Sequence, residues 1–245
     1  MKKNWLLKIG MFLLIVNTSC KKDQMLDCFK STGPIESEDR TVTENFNVIE
    51  VNNNINLILT DDTVASIKVE AGNNLLTEIT TDISDGKLTL KNNNKCNWVR
   101  KFNVPINVYV HAHPIDKILG YNTGNITSTN TIKNNIFNFE GWSSGHFDLT
   151  VDCQELDCSL NVDVCDAVVH GHAENCFLWT AGNGFFHNED LITKNTFLTT
   201  KSTGDTYVNA ANILSVKILG EGNVYYTGNP TITQTISGKG KLIKQ

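Results

Sequence analysis

Phe197 to Tyr226, FLTTKSTGDTYVNAANILSVKILGEGNVYY, is the stretch that decides the fold. Phe197-Leu198 and Tyr207-Val208 flank a turn at Gly204, and Leu214-Ser215-Val216-Lys217-Ile218 and Val224-Tyr225-Tyr226 flank another at Gly222. Apolar and polar residues alternate with a period of two, so each run buries one face and wets the other. The same unit recurs outward from this stretch. Gly124, Gly145, Asp166, Gly184, Gly204, Gly222 and Gly240 fall at spacings of 21, 21, 18, 20, 18 and 18 residues. A period near 20 with β-type segments on both sides of each turn predicts stacked coils of a β-solenoid. One coil cannot bury its apolar face alone; neighbours at ~4.8 Å spacing make the core continuous. Glycine is expected at the turns because it takes φ > 0 without steric cost. Asparagines near the turns are expected to form amide ladders. An open antiparallel sandwich is the alternative architecture.

Toward the amino terminus the same two-residue period continues. Phe46, Val48 and Val51 begin it, and Ile55-Asn56-Leu57-Ile58-Leu59, Ile67-Lys68-Val69, Leu88-Thr89-Leu90 and Ile106-Asn107-Val108-Tyr109-Val110 follow. Asp61-Asp62, Asp85-Gly86 and Asn92-Asn93-Asn94 supply turns. No window holds a 3.6-residue period. The expected fold is therefore all-β, a parallel β-helix or β-solenoid with coils of about 18–21 residues, its N-terminal strands completing the stack.

The first residues have a different character. Lys2, Lys3 and Lys8 form a basic region ahead of an apolar core from Ile9 to Val16, too short to span a bilayer but fitting a signal peptide. Asn17-Thr18-Ser19-Cys20 resembles a bacterial lipobox, departing from it at Asn17, where the pattern has Leu. The organisation expected is a signal peptide over 1–19, a lipid-anchored polar tether over 20–39 and one domain over 40–245, with Cys20 acylated and holding the chain on a membrane. Removing 1–19 takes away three lysines and no acids, moving the formal charge from −5 to −8. An exported acidic chain without a Lys/Arg run is a poor nucleic-acid binder.

Several blocks along the chain carry a resemblance. Arg40-Thr41-Val42 with Phe46, Ile49 and Val51 comes first, then Val69-Glu70-Ala71-Gly72 with Asn74-Leu75, and Asp85-Gly86-Lys87-Leu88. Cys96-Asn97-Trp98-Val99-Arg100 and Ile106-Asn107-Val108-Tyr109 stand in the middle, and Gly220-Glu221-Gly222-Asn223-Val224-Tyr225-Tyr226 with Gly228-Asn229-Pro230 near the end. In this order, over about residues 40–245, they resemble the putative auto-transporter adhesin, head GIN domain family. The resemblance implies a cell-envelope lipoprotein of Bacteroidetes-type bacteria, and the location expected for the exported chain is the outer membrane, on its periplasmic or cell-surface face. Its implied fold is solenoid-like, and it implies no enzymatic activity and no cofactor.

Among residues able to carry chemistry, cysteine is the most informative. Seven occur, at positions 20, 28, 96, 153, 158, 165 and 176. With Cys20 acylated, six remain in a disulfide-permissive compartment. Candidate pairs are Cys28 with Cys96, Cys158 with Cys176 (one repeat apart) and Cys153 with Cys165; free buried thiols and a metal site are the alternatives. His111 with His113, and His170 with His172, each share one strand face, with no third ligand nearby in sequence. Asp148, Asp152 and Asp163 would be the carboxylates of a polysaccharide lyase or glycosidase, since β-helices host such enzymes. With Asp166 they also fit a Ca²⁺-binding strip or a solvated face. Trp142, Trp179, Tyr225 and Tyr226, with Phe185 and Phe186, sit near turns or strand ends and are candidates for stacking on sugars or filling a partner's pockets. The expected function is non-catalytic binding of an extracellular glycan or protein. A carbohydrate-active enzyme and a structural envelope protein whose coil ends self-associate are the alternatives.

Overall fold

Residues 31–95, 104–161 and 164–245 are described in the computed structural model, and they build an all-β solenoid of about six turns, as the alternation predicts. The N-terminal part supplies β1 (Ile35–Arg40), β2 (Val48–Asn53), β3 (Asn56–Asp61), β4 (Ser66–Gly72), a single 3₁₀ turn (Leu76–Glu78), β5 (Ile79–Ser84) and β6 (Lys87–Asn92). After these come β7 (Asn107–Ala112), β8 (Lys117–Asn122) and β9 (Asn125–Ser128). Four long strands follow, β10 (Ile132–Gly141), β11 (His146–Leu160), β12 (Asp166–Thr180) and β13 (Phe185–Thr200), then β14 (Thr206–Ile218). The stack closes with β15 (Val224–Thr227), β16 (Thr231–Ile236) and β17 (Leu242–Lys244).

From β10 onward each coil lies parallel on the one before. His146 stands opposite Asp166, which stands opposite Phe185, and Leu156, Cys176 and Thr196 form another such column. Within β11 the inward residues are Phe147, Leu149, Val151 and Cys153, then Leu156, Cys158 and Leu160. The phase slips at Gln154-Glu155 because the strand turns a corner there, keeping apolar side chains inside on both sides of the bend. Phe137, Phe139, Phe147 and Phe186 are the largest side chains sealed in this core, and Phe139 stacks on Phe147 at 4.8 Å between ring centroids. An amide pair does join neighbouring coils, Asn195 donating to Asn175 at 2.9 Å, but at the corner within the strands and not beside the turn glycines.

The amino-terminal half departs from sequential stacking. β2 lies between β6 and β8, and β3 between β7 and β9, all parallel. The β2–β3 coil is thus laid down first and later flanked on both sides. Antiparallel strands finish this end: β4 pairs with β7 and β1 with β4, while β5 and β6 form a hairpin. Its turn, Asp85-Gly86, holds both residues at positive φ (53° and 74°), the conformation for which Asp-Gly is favoured.

The turn glycines have a different reason from the one expected. Positive φ occurs among glycines at Gly33, Gly86, Gly171, Gly182 and Gly228, and at none of the six glycines of the repeat. Those six instead sit where neighbouring coils approach closely. A Cβ on Gly204 would lie 2.4 Å from the Gly184 carbonyl oxygen, one on Gly222 2.0 Å from that of Gly204, and one on Gly240 2.0 Å from that of Gly222. The column also corrects the alignment by one residue. Phe185 donates its amide to Cys165 and Asp166 to Gly145, so the column runs through Cys165, and Asp166 is the next residue along.

Candidate functional site

The outward phase of the second half of each coil forms a groove of about 400 Å³. Phe177 and Trp179 enter it from β12, Phe197 from β13, Ser215 and Lys217 from β14, and Thr233 and Thr235 from β16. These residues point outward because their neighbours Cys176, Leu178, Leu198 and Val216 occupy the buried phase. Phe177 and Phe197 stand in register on adjacent coils and stack at 5.0 Å, 13° from parallel. Asp157 is in register with Phe177 on the other side. Partial burial pushes the Asp157 carboxyl above its ordinary range, with the negative charges of Glu140 and Glu155 adding to it. Beyond Phe197 the register brings Ser215 and then Thr233, side chains too short to cover a phenyl ring. The ladder of rings ends at Phe197, and hydroxyl side chains continue the column.

The four aromatics singled out from sequence have separate fates. Trp179 lines the groove, with the Lys201 ammonium 5.2 Å from its ring centroid. Trp142 is exposed at a corner, stacked on Tyr121 at 6.2 Å, and its indole N–H donates to Glu140 at 2.8 Å. Tyr225 belongs to another ladder, His187–Tyr207–Tyr225, with Ile243 next in register, so neighbouring side chains flank its ring on both sides. Tyr226 packs against the core, and Phe186 is sealed within it. Phe177 and Phe197 did not stand out in the sequence. Their signal is a phenylalanine in the outward phase repeated at the coil spacing, visible only once the repeat is aligned through its inward residues.

A wider, polar cleft of about 570 Å³ includes His113, Lys133, Asp152 and Glu174 in its lining. Glu174 is paired with Lys194 at 3.2 Å. Asp152 faces Lys133 and His172 on the adjoining coils, and Asp148 faces Thr127 and Val168, so neither meets a second carboxylate in register. Asp163 lies outside the described residues. Three of the four candidate histidines take carboxylate partners: His111 with Asp62 at 3.2 Å, His113 with Asp61 at 2.6 Å, and His170 between Asp148 and Asp190 at 3.5 Å each. Cys165 and Cys176 face the core while the neighbouring His170 and His172 face outward. No group of three or more His, Cys, Asp or Glu among the described residues is placed to hold a metal.

Cys153, Cys158, Cys165 and Cys176 are free, buried thiols, and no bridge joins them. Register explains the difference from the expected pairing. Cys176 stands opposite Leu156, with Cys158 two residues further along β11, and Cys153 stands opposite Ala173. Cys165 sits in the turn column, its sulfur in the space left by Gly141. Cys20, Cys28 and Cys96 lie outside the described residues. Burial pushes the Cys153 and Cys165 thiols up to about 12, helped by Asp152 and Asp166; complete burial raises Cys158 and Cys176 as well. Neutral, enclosed thiols react slowly. Iodoacetamide at pH 8 is expected to leave all four unmodified in the native protein and to label all four in denaturant without reductant, read by peptide mass spectrometry. Labelling that required reductant would establish bridges instead.

Stacked parallel coils with a lateral groove define a β-solenoid whose exposed features are surfaces for contact. The chain belongs to the putative auto-transporter adhesin, head GIN domain family, whose model matches residues 45–230. Its fold is similar to that of a putative adhesin from Bacteroides fragilis NCTC 9343 (TM-score 0.82, 20% identity, 88% of this chain and 100% of that one). It is also similar to a putative adhesin from Parabacteroides merdae ATCC 43184 (TM-score 0.69, 17% identity, 87% and 97%). A third similar structure is a putative lipid binding protein from Parabacteroides distasonis ATCC 8503 (TM-score 0.68, 18% identity, 88% and 100%). No curated protein matches the chain. The family supports an adhesin-like role at the cell envelope or surface.

Proposed function

We propose that the protein is a non-catalytic, adhesin-like lipoprotein, anchored through Cys20, that binds an extracellular glycan in the Phe197 groove. The observation that carries this reading is the ring ladder that stops at Phe197, where Ser215 and Thr233 follow in register. A pyranose has an apolar face that stacks on such a ring and an equatorial rim of hydroxyls. Ser215, Thr233 and Thr235 supply hydroxyl partners, and Lys217 and Asp157 set a charged border. The Tyr225 ring serves less well, because Tyr207 and Ile243 flank it on both sides.

The test is solid-phase binding of the wild type and Phe197→Ser to a panel of neutral and anionic oligosaccharides, with matrix proteins as a second panel. An interfacial ring stack contributes about 2 kcal/mol, so Phe197→Ser is expected to weaken glycan binding about 30-fold with the melting temperature little changed. Saturable binding of matrix proteins alone, lost in the same variant, would replace the glycan by a protein ligand. Binding indifferent to Phe197→Ser would overturn the groove. Protease treatment of intact cells carrying the wild type or Cys20→Ala tests the anchor. Wild-type signal lost from intact cells, and a mutant released from the membrane, is the expected result.

A further inference from the structure

The two ends of the solenoid are finished differently. At the C-terminal end, β16 is bonded to β14 and β17 to β15, and among the described residues neither has a partner on its other side. Ile232 is in register with Leu214 and Ile236 with Ile218, the inward columns of the core. Leu214 and Ile218 are fully buried, whereas Ile232 is 38% and Ile236 43% exposed, because no further coil covers them among the described residues. The whole of β16, Thr-Ile-Thr-Gln-Thr-Ile, is exposed and lacks charge, proline and glycine. Edge strands of soluble proteins ordinarily carry such guards, since an unguarded edge is a template for another strand.

Charge distinguishes the ends further. Lys241 and Lys244 flank β17, Lys239 is paired with Glu221 at 2.6 Å, and residues 222–245 carry no carboxylate side chain. At the N-terminal end, β1 is bonded to β4 alone among the described residues and exposes Glu36, Glu38 and Asp39. Direction matches as well. β1 is antiparallel to β4, β4 is antiparallel to β7, and β7 lies parallel to β3 in the column of strands that ends at β17. So β1 runs in the same sense as β17 on the same face. A copy translated along the axis would bring its β1 alongside β17 as a further parallel strand, acids against lysines. Tail-to-tail contact would set lysine against lysine.

We propose that copies of this chain associate head to tail, the β16–β17 end of one copy seating on the β1 end of the next. Such a contact is heterologous and does not close, so it generates short linear arrays. The test is sedimentation velocity of the full-length chain in detergent over a concentration range of about 100-fold. The wild type is expected to show a sedimentation coefficient that rises with concentration, and Ile232→Lys/Ile236→Lys to stay monomeric with an unchanged melt, since both side chains are exposed. Lys241→Glu/Lys244→Glu and Glu36→Lys/Asp39→Lys are each expected to be monomeric alone and to associate when mixed, because mixing restores opposite charges at every contact. A wild type that stays monomeric throughout the range would overturn the proposal. Association blocked by the β16 variant but unaffected by Glu36→Lys/Asp39→Lys would overturn it too, in favour of a tail-to-tail dimer.

Discussion

Gly222→Ala is expected to lower stability by about 3 kcal/mol, at the upper end of what one inserted methyl ordinarily costs. The methyl would sit 2.0 Å from the Gly204 carbonyl oxygen and 2.7 Å from its carbonyl carbon. Both atoms are backbone held by the neighbouring coil, so neither can rotate aside as a side chain would. Relief requires the coils to separate, and the turn hydrogen bonds between them, such as Gly222 N–H to Ser202 at 3.0 Å, would lengthen together. Denaturant unfolding of wild type and variant measures the loss. Asparagine separates this cause from backbone conformation, because it tolerates positive φ where most residues do not. Gly86→Asn, at φ 74° with its nearest neighbour 3.5 Å from the added Cβ, is expected to cost less than about 1 kcal/mol. Gly222→Asn is expected to be at least as damaging as Gly222→Ala. Equal tolerance at both sites would refute the close-approach explanation.

Phe139→Ala should have the largest effect of any single truncation in the core, about 3–5 kcal/mol. Phe139 is wholly buried, stacks on Phe147 at 4.8 Å and meets Phe186 at 6.5 Å in a tilted contact. These three rings come from β10, β11 and β13, so truncating one removes contacts that hold several coils together. The space would not close easily. Gly120 and Gly141 already bring backbone against Phe147, a Cβ on either approaching that ring to 2.8 and 3.2 Å. With 2–4 °C per kcal/mol for a domain of this size, the melting temperature should fall by roughly 6–20 °C. Phe139→Leu should lose less than half as much, because it keeps most of the buried area. A drop of 1–2 °C for Phe139→Ala would mean that the coils repack freely and that the ring cluster does not hold the middle of the stack.

Alternation by itself determined which residues of each strand face the core. Phe147, Leu149 and Val151 are buried and Asp148 and Asp152 exposed as the two-residue period requires, since side-chain direction is a local property of extended backbone. The recurrence of turns near every 20 residues likewise determined a stacked β architecture, and the Asp-Gly pair at 85–86 determined a turn, because turn chemistry is local. Tertiary structure alone decided which strands neighbour one another. Nothing local in β2 and β3 states that β6–β7 will settle on one side of them and β8–β9 on the other, because pairing energy depends on edges left open by the rest of the fold. It also decided why the turn glycines are glycine, through carbonyl groups of the neighbouring coil, which for Gly124 is that of Ile55. The candidate groove was illegible for the same reason: aligning Asp166 with Gly184 sets Phe177 opposite Asn195, one residue of the error lying at Cys165 and one in the register shift between Val168 and Gly171, and only the hydrogen-bonded register between coils brings Phe177 against Phe197.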